Sequence, residues 1–210
     1  MTKNEKVQEI LKRLYKIYPH PKTALQYKTP WQLLVATILS AQATDITVNT
    51  VTPALFEKYK SIKDFAEISL QELDKFVSKV NFHTNKAKSI IAAAKMILEK
   101  FNGKVPDNME DLDSLPGVAR KTANVVLGNA FGKSEGIVVD THVIRLSQKL
   151  GLTDQKDPVK IEEDLMKIVP KENWTDFSHL LINHGRDKCS GRPHTCINCP
   201  LGQLCPEFKK

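Results

Sequence analysis

The stretch Asp111–Gly132, DLDSLPGVARKTANVVLGNAFG, reads as two helical pieces joined by a tight turn. Leu115-Pro116-Gly117-Val118 is the turn, because proline fixes φ and glycine admits the left-handed backbone that a reversal needs. Asp113 or Ser114 is placed to cap, and the chain from Ala119 onward is helical. Val118, Thr122, Val125 and Val126 recur at the spacing of an inward helix face. A turn of this kind points backbone N–H groups outward at a helix start. That is an anion site, and Leu115, Gly117, Val118, Ala119 and Arg120 are the residues expected to meet a phosphate.

Working outward, the same helical period runs through most of the chain. Val7, Ile10, Leu11, Leu14 and Tyr18 form one stripe. Ile90, Ala94, Ile97, Leu98 and Phe101 form another, stopped by Gly103. Asp157-Pro158 reads as an N-cap followed by proline in the first helical position. Ile161, Leu165 and Ile168 continue that helix to Pro170, and residues 176–185 make a further short one. Only Gly136-Ile-Val-Val139 hints at a strand, and it is too short to build a sheet. The expected fold is all-α, with about ten short helices. Trp31, Leu34, Val35, Ile38 and Trp174 read as core.

The 210 residues carry a formal net charge of +7, which suits a polyanionic partner but fits a solvated lysine-rich surface equally well. The start, MTKNEKVQEI, shows no secretory pattern, and the uncharged run Thr29–Thr44 is short of the ~20 apolar residues a membrane span requires. A cytoplasmic protein without membrane contact is expected, and there clustered cysteines bind metal more often than they form disulfides.

All four cysteines fall in one segment, CSGRPHTCINCPLGQLC, Cys189–Cys205. The spacing C-x6-C-x2-C-x5-C brings Cys189, Cys196, Cys199 and Cys205 within reach of one inorganic centre. Only Cys196-x2-Cys199 resembles a zinc knuckle, so the spacing leans to iron–sulfur, with structural zinc as the alternative. His184 and His194 are close enough in sequence to act as substitute ligands.

Lys121 stands in the first turn of the helix after Gly117, beside Arg120. Both the helix start and the neighbouring cation disfavour an ammonium there. An ordinary lysine is only about 0.04% neutral at pH 7, and half-neutrality requires about 4.6 kcal/mol. Desolvation or a carboxylate acting as proton acceptor must therefore help. Asp140, in GIVVDTHVIRL, is the candidate carboxylate, although aspartate directly before a helix is also a favoured N-cap. The two roles are compatible.

LPGVARKTANVV, VVDTH 19 residues beyond Lys121, and the four-cysteine segment together resemble the endonuclease III family of helix-hairpin-helix DNA repair enzymes. SAQATD (Ser40–Asp45) and HGRDKC (His184–Cys189) are similar to family segments too, so the resemblance covers essentially the whole chain. It implies a bifunctional DNA glycosylase and AP lyase acting on oxidised pyrimidines or abasic sites in duplex DNA, with Lys121 as nucleophile and Asp140 as catalytic aspartate. It implies a [4Fe-4S] cluster on the four cysteines. Gln42 matches a residue that fills the gap left by an extruded base, and Phe82 falls where the family has a leucine or similar wedge. His142, Arg186, Lys188 and Arg192 would contact DNA, the last in the loop Ser190–Thr195.

The implied architecture is two helical lobes with a DNA-binding groove between them. Residues 23–133 would form a six-helix lobe holding the hairpin at about 111–130. Residues 1–22 and 134–210 would form a discontinuous lobe with the cluster at 189–205. A monomer working on the nucleoid is implied as well. The chain departs from the family pattern at Ala119, where a second glycine is usual, at Asn81, where glycine is frequent, and in the bulk of Phe82. If position 119 requires a left-handed backbone, or very close approach of a phosphate, alanine there costs about 1 kcal/mol. A monofunctional glycosylase of the same superfamily would lack Lys121 and usually carry an extra C-terminal domain. A non-catalytic DNA-binding module would require neither Lys121 nor Asp140.

Overall fold

Side-chain caps set where the helices start. The computed structural model describes residues 1–191, 196 and 198–208. In α1 (Lys3–Ile17), Thr2 and Glu5 form a reciprocal capping box, and Val7, Ile10, Leu11 and Leu14 are the buried stripe. Thr29 caps α2 (Pro30–Ser40), with proline in its first turn. Leu33 to Leu39 are buried all round that helix, so it runs through a core rather than along a surface. Thr44, Ser61 and Ser69 cap α3 (Asp45–Lys58), α4 (Ile62–Glu67) and α5 (Leu70–Phe76). Then follow α6 (His83–Lys100), α7 (Met109–Asp113), α8 (Arg120–Phe131), α9 (Thr141–Lys149), α10 (Pro158–Ile168) and α11 (Trp174–Asp187). No strand occurs among the described residues; Ile137, Val138 and Val139 are buried outside any regular element.

The chain packs as two compact units. One is Ala24–Lys133 and the other joins Met1–Thr23 to Ser134–Lys210. The first contains seven of the described helices, α2 to α8, where the resemblance implies six; α4, α5 and α7 have only six, seven and five residues. Its core gathers around α2, with Phe65 fully buried edge-on against Trp31 at 5.4 Å between ring centroids.

The second unit has its own core. Ile10 and Leu14 of α1, Val143 and Leu146 of α9, Ile161 and Leu165 of α10 and Phe177 and Leu181 of α11 meet there. Trp174 is only partly buried, contrary to expectation. Its ring lies under the Lys171 ammonium, and its Nε1 donates to the Val169 carbonyl at 2.9 Å, which keeps its polar edge near the surface. No described helix is long and apolar enough to cross a membrane.

Candidate functional site

The hairpin joins α7 to α8. Asn108, not Asp113 or Ser114, caps α7; Asp113 is its exposed last residue and Ser114 closes its C-terminal end. Leu115 and Val118 are buried and anchor the turn, while Gly117 sits at φ +77°. A Cβ at Gly117 would lie 2.6 Å from Ser89 Cβ on α6, so both the backbone conformation and the close helix approach require glycine.

Ala119 is the N-cap residue of α8, one position before the helix rather than its first turn. Its φ is −114° and ψ 167°, ordinary extended backbone, so alanine carries no left-handed cost there. It has no side-chain oxygen, and α8 accordingly starts without a side-chain cap. No side chain at position 119 therefore competes with an anion for the first N–H groups of the helix. Arg120 and Lys121 follow as the first two helical residues, both exposed. The Lys121 amine makes no hydrogen bond or ion pair with a described residue.

Gln42 and Phe82 belong to the same unit and lie on two tight turns. Gln42 (φ +54°) is in the link between α2 and α3, and Phe82 (φ +57°) is the residue before α6. Both are exposed, Phe82 by 63% of its surface. Asn81 Nδ2 donates to the Gln42 carbonyl at 2.9 Å. Lys86, which no sequence signal singled out, is buried, and burial pulls its amine below the usual lysine range. Its Nζ donates to Leu39 O at 2.8 Å and to Ala41 O.

In the other unit Asp140 is half-buried and caps α9. Its Oδ1 accepts from the His142 and Val143 N–H groups, each at 2.9 Å. Oδ2 takes no hydrogen bond from a described residue. His142 packs against α11, where a Cβ on Gly185 would come 2.7 Å from its Nδ1. Arg145 reaches from α9 to the carbonyl of Cys189 at 2.6 Å. Arg186 and Lys188 are exposed, Lys188 beside Asp187 at 3.5 Å. Arg192 and His194 lie outside the described residues.

Cys189, Cys196, Cys199 and Cys205 line one cavity of about 100 Å³, closed by Leu146, Leu150, Leu201 and Phe208. None forms a disulfide. Burial raises the Cys189 and Cys199 thiols above their ordinary range, which makes bare thiolates costly. Backbone N–H groups of Leu201 and Gly202 oppose this at Cys199, and Lys149 and Arg145 oppose it at Cys189. Buried thiols with N–H donors and nearby cations are a donor set that a cationic centre completes. His184 is buried beside them, its Nε2 3.8 Å from Cys199 Sγ. Among the described residues no three His, Cys, Asp or Glu side chains converge tightly enough to hold a single ion. A wider cleft of about 860 Å³ lies in the other unit, between the start of α2 and residues 100–108, and none of the expected site residues lines it.

Residues 35–171 match the family of HhH-GPD superfamily base excision DNA repair proteins. The chain is 52% identical to endonuclease III of Synechocystis sp. over 205 residues, covering 98% of this chain and 94% of that one. It is 40% identical to endonuclease III of Escherichia coli over 202 residues, covering 96% and 95%. A solved structure of a trapped endonuclease III–DNA covalent intermediate superposes with a TM-score of 0.91 at 40% identity, covering 99% of this chain and 98% of that one. The similarity thus runs along nearly the entire sequence, hairpin, α8 and four-cysteine segment included, and the chain belongs to the endonuclease III family of the HhH-GPD superfamily.

Proposed function

We propose that this base-excision repair glycosylase and AP lyase removes oxidised pyrimidines from duplex DNA and cleaves the resulting abasic site through a Schiff base on Lys121. The observation that carries the reading is the Lys121 amine itself. It is exposed, bonded to nothing among the described residues, and held on the first turn of a helix whose N–H groups are uncapped. Open N–H groups and Arg120 bind a DNA phosphate, which brings the neighbouring sugar to the amine.

The lesion must leave the stack before it can react, at a cost of a few kcal/mol, and less for a damaged pair. Gln42 takes its place in the duplex and Phe82 wedges the adjoining step. The neutral Lys121 amine then bonds to C1′, and the C1′–N bond to the base breaks with its electron pair leaving on the base. Asp140 receives the proton released from the lysine nitrogen or stabilises positive charge on the sugar through Oδ2, the oxygen that the α9 cap leaves free. Ring opening gives the iminium, which acidifies the C2′ proton. Loss of that proton expels the 3′ phosphate, and water later returns the amine.

The four cysteines would hold a [4Fe-4S] cluster. The four thiols line one shared cavity, and the C-x6-C-x2-C-x5-C spacing contains only one zinc-type knuckle, which favours iron–sulfur over zinc. The cluster would order the segment carrying Lys188 and Arg192 toward phosphates. Partner and place would be the bacterial chromosome, bound by a monomer.

Borohydride trapping on duplex DNA containing thymine glycol tests the reading. A covalent protein–DNA adduct is expected, and none with Lys121→Ala. Base release without an adduct would instead indicate a monofunctional glycosylase, and binding without reaction a DNA-binding module.

A further inference from the structure

We propose that Asn81 and Lys86 are positioning residues that lock the Gln42 turn to the Phe82 turn, so that plug and wedge enter the duplex as one preformed unit. This rests on reading Gln42 and Phe82 as the inserted side chains. Both turns are strained in the same way. A residue with a Cβ reaches positive φ only at a cost, and a bulky aromatic does so rarely. Strain of that kind persists where the surroundings hold it. Here two such residues, Gln42 at φ +54° and Phe82 at φ +57°, are exposed, and neighbouring residues bridge the turns that carry them.

The first bridge is the Asn81 amide, which donates to the carbonyl of Gln42 at 2.9 Å. The second is Lys86, which bonds to both turns at once. Its backbone N–H donates to Phe82 O at 3.1 Å as the first hydrogen bond of α6. Its ammonium donates to Leu39 O and to Ala41 O, the carbonyl just before Gln42. These are carbonyls at the negative end of α2, which accounts for a lysine that is only 7% exposed and has no carboxylate partner among the described residues. Burying a cation against carbonyls alone is an expensive way to end a helix, and an apolar side chain there would leave both carbonyls without this donor. What the ammonium provides is a fixed relation between the two turns. Asn81 is exposed, so its hydrogen bond adds little to folding.

Single-turnover reactions on duplex DNA with thymine glycol and an adjacent 2-aminopurine read base extrusion by fluorescence and base release by product. Cleavage of an abasic site in single-stranded DNA, where no partner base needs displacing, reads the Lys121 chemistry by itself. Asn81→Ala is expected to slow extrusion and base release about five-fold, the worth of one hydrogen bond. Its melting temperature and its single-strand cleavage should equal those of the unsubstituted protein. Lys86→Met should show the same extrusion defect and unchanged single-strand cleavage, with a lower melting temperature because two carbonyls lose their donor.

Gln42→Ala should also slow extrusion, and adding Asn81→Ala to it should cause no further loss, because the bond to the carbonyl of residue 42 then aligns no plug side chain with the wedge. Normal extrusion in Asn81→Ala, or losses that multiply in the double variant, would overturn the lock while leaving Gln42 as the plug. Normal extrusion in Gln42→Ala would overturn the plug reading, and the lock with it.

Discussion

Asp140 carries two duties on two oxygens, and they can be separated by substitution. Oδ1 accepts both N–H groups at the start of α9, while Oδ2 is free of protein partners among the described residues. Asparagine caps a helix about as well as aspartate. Asp140→Asn should therefore melt with the unsubstituted protein yet release base at least ~100-fold more slowly, the typical worth of a positioned acid or base. Asp140→Ala loses the cap as well, costing about 1 kcal/mol and lowering Tm by about 2–4 °C for a chain of this size. Equal activity in Asp140→Asn would leave the residue a cap only. At this scale the sequence revealed residues whose chemistry is local. Lys121 and Asp140 stand in motifs that name them, and the left-handed part of the conditional cost at Ala119 vanishes because its backbone is extended. Lys86 was not legible. Nothing in HTNKAKSI distinguishes it from a surface lysine, since its partner carbonyl is 47 residues away in the chain.

Among the elements, periodicity was informative where a helix has one wet face and silent elsewhere. The stripes of α1 and α10 read directly because polar residues alternate with them. Helix α2 is apolar on every side, and α4, α5 and α7 are two turns or less, too short to show a period. Contacts between helices are less visible still. Tyr15 of α1 and Tyr18, its C-cap residue, donate their hydroxyls to Asp176 and Asp187 of α11, at 2.7 and 2.9 Å. Burial and the hydrogen bond to Asp176 push the Tyr15 hydroxyl up to about 12, and burial with Asp187 pushes Tyr18 up as well. Both shifts favour the neutral phenol in the folded state. The stability they contribute is complete below pH 10, the unfolded value, and is lost as pH climbs from there toward 12. Replacing both tyrosines with phenylalanine should flatten that alkaline limb in a pH series of denaturant midpoints. An unaltered limb would mean the two contacts do not govern it.

Over the whole molecule, charge and topology answer different questions. A unit assembled from residues 1–23 and 134–210 closes its core between segments more than a hundred residues apart, and no local pattern announces that pairing. The net charge of +7, by contrast, is plain in the composition, but it identifies no contact. Salt dependence turns it into one. Each phosphate neutralised by a side chain steepens the slope of log Kobs against log salt by about 0.9 on duplex DNA. Arg120 and Lys188 are exposed, one in each unit, and both are read here as phosphate ligands. Substituting either with alanine should reduce the slope by about 0.9. Because phosphates carry no sequence or damage information, the loss should be the same on undamaged and lesion-bearing duplexes. A slope that stays constant would remove that residue from the backbone contacts, and a loss confined to damaged DNA would place it at the lesion instead.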